Sequence, residues 1–138
     1  MGPLRKSAAL LAVAAFLGGL SLIFNPPARA VLLDAPRDDE ITVADAQALG
    51  ATALWIDARS RADYEAGHVD GALLLNEESW IELLIPVIER WQPGTPVVVY
   101  CDSHRCQASR KVAERLRTEA GIDNARVLRG EWSEVRRR

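Results

Sequence analysis

Residues 96–101 read PVVVYC, three valines and a tyrosine in succession with no polar residue among them. A half-buried strand alternates polar and apolar residues, whereas an unbroken β-branched run has both faces covered, the condition of a central strand in a parallel sheet. Parallel neighbours need crossover connections, and the rest of the chain supplies them. ITVADAQALG, from Ile41, reads as a short strand and a helix capped by Thr42, with Asp45 in its first turn and Gly50 just past its end. ALWID and GALLLN are two more apolar runs of strand length, and ALWID finishes in the polar stretch ARSRADYEAG. EESWIELLIPVIERWQPG has helical apolar spacing, and Pro86 within it predicts a break or kink. SRKVAERLRTEAG is the clearest helix, with Val112, Ala113 and Leu116 on one face and Gly121 as its stop; ARVLRG gives a last strand. Strands alternating with helices predict an α/β fold, a three-layer α/β/α arrangement around a central parallel sheet of about five strands.

The N-terminus obeys another pattern. Arg5 and Lys6 precede an uncharged stretch of 18 residues, Ser7 to Phe24, and Ala28-Arg29-Ala30 follows as a small-x-small site. Residues 1–30 therefore read either as an export signal or as a single-pass membrane anchor over residues 7–24. Both readings place the remaining chain outside the cytoplasm, in a periplasmic or other extracytoplasmic space. Residues 31–40, VLLDAPRDDE, read as a linker, and residues 41–138 as one domain with one core. Hydrophobic residues at 49% and charged residues at 26% exclude a disordered or low-complexity chain.

A net charge of -2 conceals an uneven distribution. Positions 31–100 hold 4 basic and 13 acidic residues, while positions 101–138 hold 10 basic and 6 acidic. The half that contains both cysteines is net positive, which suits a small anionic ligand or an ordinary solvated surface. Nothing in this distribution calls for nucleic acid, and Arg136, Arg137 and Arg138 at the end carry little weight.

Cys101 follows the most buried strand and precedes the best helix, which puts it at the carboxyl edge of the sheet, where α/β folds bind ligands. The unpaired amides at a helix N-terminus carry partial positive charge and stabilise a thiolate or a bound oxyanion. That field lowers a thiol pKa below its free value of ~8.5 and makes Cys101 a nucleophile at neutral pH.

WIDARSRADYEAGHVDGA resembles the signature of the rhodanese-like family, in which a strand ending in Asp-x-Arg leads through an acidic-Tyr pair to Gly-His-x-x-Gly-Ala. Asp57, Arg59, Tyr64, Gly67, His68, Gly71 and Ala72 take those places. VVVYC with SRKVAERL is similar to the family's active-site strand, cysteine loop and following helix, and VLRGEW to its closing Gly-x-Trp turn. The resemblance implies a single-domain sulfurtransferase. Its nucleophile and persulfide carrier would be Cys101, its donor a small sulfur-containing anion such as thiosulfate, and its acceptor a thiol, with no metal or organic cofactor. The anion-binding loop would be Asp102, Ser103, His104, Arg105, Cys106 and Gln107, with Arg105 the side chain best placed to assist, and Asp57, Arg59 and His68 in support.

The loop departs from the family pattern. Ser109 stands eight positions after Cys101, the loop has no glycine, and Ala108 holds the place of a basic residue. The helix then starts either early, near Cys106, or after an enlarged loop. Cys106, five residues from Cys101, reads as a redox or resolving partner, as half of a structural disulfide, or as a packing residue. Zinc is disfavoured, because two cysteines with His104 between them lack ligand spacing and a fourth ligand. His104 either tunes the thiol or faces solvent; His68 reads as a structural hydrogen-bonding residue; Asp57 and Arg59 read as a buried or half-buried pair bracing the loop wall. Trp55 reads as core or domain edge, and Trp80, Trp91 and Trp132 read either as packing, which helix and turn spacing favours, or as a rim to the site.

Overall fold

The computed structural model describes residues 37–102 and 107–135. The export or anchor segment, most of the linker, Ser103 to Cys106 and the terminal arginines lie outside the described residues. Five strands run in parallel in the order β1-β5-β4-β2-β3: β1 Glu40–Thr42, β2 Leu54–Asp57, β3 Leu73–Leu74, β4 Val97–Tyr100 and β5 Ala125–Arg129. The helices are α1 Val43–Leu49, α2 Arg61–Ala66, α3 Trp80–Arg90, α4 Gln107–Thr118 and α5 Trp132–Val135. Among the described residues, no helix is long and apolar enough to cross a membrane.

The apolar run Val97–Tyr100 is the centre of the sheet. Every residue of β4 and of β2 is buried, and their side chains divide by parity between two cores. Val97 and Val99 join Leu54 and Ile56 beneath α3 and α4, against Leu83, Val87, Val112 and Leu116. Val98 and Tyr100 join Trp55 on the opposite face, against Ile41, Ala46 and Leu128. Period-two alternation is present in the backbone but invisible in composition, because both faces are apolar. Each fully buried side chain of this size contributes about 1.5–3 kcal/mol, so these two strands anchor the fold.

Local signals hold as expected at α1, where the Thr42 hydroxyl accepts from the Asp45 amide at 3.2 Å and Gly50 ends the helix at φ 54°. At α3 the helix runs unbroken through Pro86. A proline that lacks its N–H costs least where the surface is wet, and Pro86 is exposed. The polar stretch after β2 contains α2, whose start is set by Ser60 accepting from the Asp63 amide. The Ser-x-x-Asp spacing was the available signal for this helix.

An ion pair ties the edge strand to α4: Arg110 Nη2 meets Glu40 Oε1 at 2.6 Å, with the Glu40 side chain 8% exposed. Burial opposes the Glu40 charge, but the hydrogen bonds from Arg110 and from the Arg37 amide outweigh it and lower the pKa. A carboxylate with a depressed folded pKa adds stability above the unfolded carboxyl range and loses it as pH falls through the folded value. Glu40→Gln should therefore cost about 1 kcal/mol at neutral pH, and denaturant titrations should show that difference vanish in acid. A difference that persists unchanged at acid pH would mean that packing, not charge, holds this edge.

Candidate functional site

The register of β2 against β4 sets Asp57 opposite Tyr100, so the residues that follow each strand emerge side by side at the carboxyl edge. The Ala58 amide donates to the Tyr100 carbonyl at 2.9 Å, and the Leu75 amide donates to the Asp57 carbonyl at 2.9 Å. Three connections thereby meet: Ala58–Ser60 after β2, Asn76–Glu78 after β3, and Cys101–Asp102 after β4. They enclose a cleft of about 290 Å³ lined by Ala58, Arg59, Ser60, Asn76, Glu77, Glu78, Cys101, Asp102 and Ala108. Cys101 is buried at its base, and the described part of α4 runs from Gln107. Ser109 falls inside the first turn of α4 and is buried.

One wall of the cleft is a buried ion pair. Arg59 grips Asp57 through Nε at 2.9 Å and Nη2 at 2.6 Å, and the Arg59 backbone amide donates to the same carboxylate at 3.0 Å. Arg59 Nη2 also donates to the Gly67 carbonyl at 2.6 Å, and the indole of Trp132 lies against the guanidinium, 4.3 Å from ring centroid to Cζ. Hydrogen bonding to Asp57 raises the Arg59 pKa further above its ordinary value, against the cost of burial. The guanidinium is a fixed brace, and its Nη1 reaches Asp102 at 3.5 Å.

Tyr100 extends the brace through the sheet. Its hydroxyl accepts from the Val69 amide at 3.0 Å, and its ring stands between Trp55 and Trp132. Burial, reinforced by the Asp57 carboxylate, raises the phenol pKa well above its usual range, against the opposing bond from Val69. A raised tyrosine pKa means stability present below the unfolded value of ~10 and lost as pH rises through the folded one. Tyr100→Phe should cost about 1–3 kcal/mol, because the Val69 amide is left buried without an acceptor. It should also flatten the alkaline loss of stability above pH ~10; an unchanged alkaline slope in the variant would assign that loss to other groups.

His68 stacks on Tyr64 at 3.9 Å and its Nδ1 lies 2.8 Å from the Tyr64 carbonyl, the structural role expected of it. It is not in the cleft lining. Trp55 and Trp80 are buried in the two cores, and Trp91 bonds through Nε1 to the Thr95 carbonyl. Gly130 enters the closing turn at φ 133° with Val43 so near that an added Cβ would sit 2.5 Å from its Cγ2. That tight turn is what delivers Trp132 to Arg59.

Asn76, Glu77 and Glu78 are site residues that sequence reasoning missed. Asn76 Nδ2 donates to the Arg59 carbonyl at 3.1 Å, and its Oδ1 accepts from the Ser79 amide, pinning one connection to the next. No motif marks them; only the adjacency of β3 to β2 brings them in. Cys101 is disulfide-bonded, and the sequence offers one other cysteine, Cys106. Cys106, with Ser103, His104 and Arg105, lies outside the described residues. Among the described residues, no group of acidic, histidine and cysteine side chains is arranged to hold a metal ion.

The family model described as Rhodanese-like domain matches residues 41–138. A comparison with curated proteins finds no match. Among solved structures, the BH2092 protein from Bacillus halodurans is 19% identical, with 70% of each chain covered and a TM-score of 0.57. A rhodanese-related protein from Thermoplasma volcanium is 17% identical at a TM-score of 0.52, over 69% of this chain and 90% of that one. These two likenesses concern the fold alone. A cysteine-to-serine variant of EanB, solved in complex with hercynine, is 25% identical at a TM-score of 0.52. The match covers 67% of this chain but only 24% of EanB.

Proposed function

Because the chain belongs to the rhodanese-like domain family, we propose that it is a sulfurtransferase that carries sulfane sulfur as a persulfide on Cys101. The observation that supports this most is the position of Cys101, at the carboxyl end of the central strand and in the wall of a cleft braced by Asp57 and Arg59. In the reduced protein the Cys101 thiolate attacks the outer sulfur of a donor such as thiosulfate. The donor's sulfur–sulfur bond breaks, sulfite leaves with its electron pair, and Cys101 holds the persulfide. An acceptor thiolate then attacks the outer sulfur of the persulfide, the bond to Sγ breaks, and the Cys101 thiolate returns. Both steps exchange sulfane sulfur between nucleophiles, so they balance without an oxidant, a metal or an organic cofactor. By resemblance, the backbone amides of residues 102–107 and the Arg105 side chain would hold the donor's anionic head.

The disulfide at Cys101 favours a second reading. A dithiol reductant must open that bond before Cys101 can attack anything: it gives two electrons and two protons, the two sulfurs of the bond become thiols, and the reductant's own two sulfurs become a disulfide. The bond is then a gate on sulfur transfer or, alone, the working couple of a thiol-disulfide redox protein. A binding module without chemistry is a third reading, and a cellular role that survives Cys101→Ser would select it. We infer export or membrane anchoring from residues 1–30 only.

Intact mass spectrometry tests the first reading. Reduced protein incubated with thiosulfate or another sulfane donor should gain the mass of one sulfur atom on Cys101. Failure to gain it with every donor tried sinks the proposal. The same spectrum, taken on protein isolated without reductant, reads cleavage after Ala30 and the disulfide as a loss of two hydrogens.

A further inference from the structure

Resting on the sulfurtransferase reading, we propose that the sulfur acceptor is a thiol that also bears a positive charge, selected by carboxylates at the mouth of the Cys101 cleft. The described lining carries three carboxylates, Glu77, Glu78 and Asp102, and one cation, Arg59. Arg59 is already committed to Asp57 and to the Gly67 carbonyl, with its face covered by Trp132. Asp102 immediately follows the cysteine; Arg59 Nη1 reaches it only at 3.5 Å, and its side chain is 67% exposed, so its charge remains open to an incoming molecule. Glu77 pairs with Lys111 at 3.2 Å, but those side chains are 44% and 57% exposed, and such a pair screens its charge only in part. Glu78 makes no ion pair among the described residues.

The balance stays negative when wider neighbours are counted. With Asp57 and Lys111 included, four described carboxylates face two described cations. The second half-reaction brings an acceptor thiolate toward an anionic persulfide, so two negative charges must meet inside a negative rim. A cation elsewhere on the acceptor relieves that repulsion, and a second anion adds to it.

The test uses the full reduced chain, loaded as the persulfide, with cysteamine, 2-mercaptoethanol and 3-mercaptopropionate as cationic, neutral and anionic acceptors. Each rate is divided by that thiol's rate with a small-molecule persulfide. Cysteamine should exceed 3-mercaptopropionate by about tenfold in kcat/KM at low ionic strength. The ratio should collapse toward unity in ~1 M salt, where screening acts within ~3 Å. Glu77→Gln with Glu78→Gln should shrink it likewise, and the salt series decides the matter if that variant folds poorly. An activity-independent arm compares alkylation of Cys101 by iodoacetamide and iodoacetate, with trypsin cutting after Arg105 to separate the two cysteines. The neutral reagent should be favoured several-fold more than it is on a free small thiol. Equal or anion-favouring rates in a protein that does transfer sulfur overturn the acceptor assignment alone. Absence of any persulfide or transfer overturns the sulfurtransferase reading and the acceptor with it.

Discussion

Cys101→Ser should abolish sulfur loading and reduce transfer by about 10³-fold or more, the scale on which removal of a covalent nucleophile acts. The serine hydroxyl occupies the same buried site at the base of the cleft but has neither the low pKa nor the soft sulfur needed to attack a sulfane bond. The oxidised wild-type protein should behave like this variant until a dithiol reductant is added, because Cys101 is disulfide-bonded and has no thiolate to offer. Cys106→Ser separates the remaining roles of the pair. It should load sulfur without prior reduction, since it cannot form the intrachain bond. If it loads only after reduction, some other disulfide or cap is on Cys101, and the gate is not intramolecular. If oxidised wild type loads as fast as reduced protein, the bond is opened by the donor itself and gates nothing.

The second large effect is on stability. Asp57→Ala should destabilise the fold by about 3–5 kcal/mol, the cost of leaving one member of a buried ion pair uncompensated. Asp57 is fully buried and the Arg59 side chain is 5% exposed, so water cannot replace the lost carboxylate. The Gly67 carbonyl and the 3.5 Å contact to Asp102 remain; the first carries no charge, and the second, to a side chain 67% exposed, offsets it only in part. For a domain whose whole stability is of order 5–15 kcal/mol, the single variant stands near the limit of folding. Asp57→Leu combined with Arg59→Met should recover most of the loss, because replacing both charges leaves neither one buried without its partner. Denaturant titration of both variants checks this. A loss under ~1 kcal/mol for Asp57→Ala would show that the site is wetter than its burial implies.

These predictions draw unequally on the sequence. The unalternated run at Val97–Tyr100 announced a central parallel strand, Cys101 was legible because it directly follows that strand, and Asp57 and Arg59 were legible through the resemblance of the stretch that begins at the end of β2. Thr42 and Gly50 announced α1 at both ends. The helix at Arg61–Ala66 was hidden by polar residues, since a short exposed helix has no apolar stripe to show. Pro86 argued for a break or a kink, and the helix is not broken there, because α3 is held by Trp80, Leu83 and Val87 in the core while Pro86 faces water.

By itself the sequence determined the five strands and the helices α1, α3 and α4, through apolar periodicity and caps, and determined which cysteine stands at a strand's carboxyl end. Tertiary structure decided who faces that cysteine. Charge counted along the chain makes the cysteine half basic and suggests an anion site. The sheet order also sets β3 beside β2, so that Glu77 and Glu78, from the acidic half, come to the cleft that Cys101 lines. Arg59, the nearest described cation, is taken by Asp57, which lies two residues away in sequence. Charge acts through distance in space, and in a parallel sheet each strand's spatial neighbours come from distant parts of the chain.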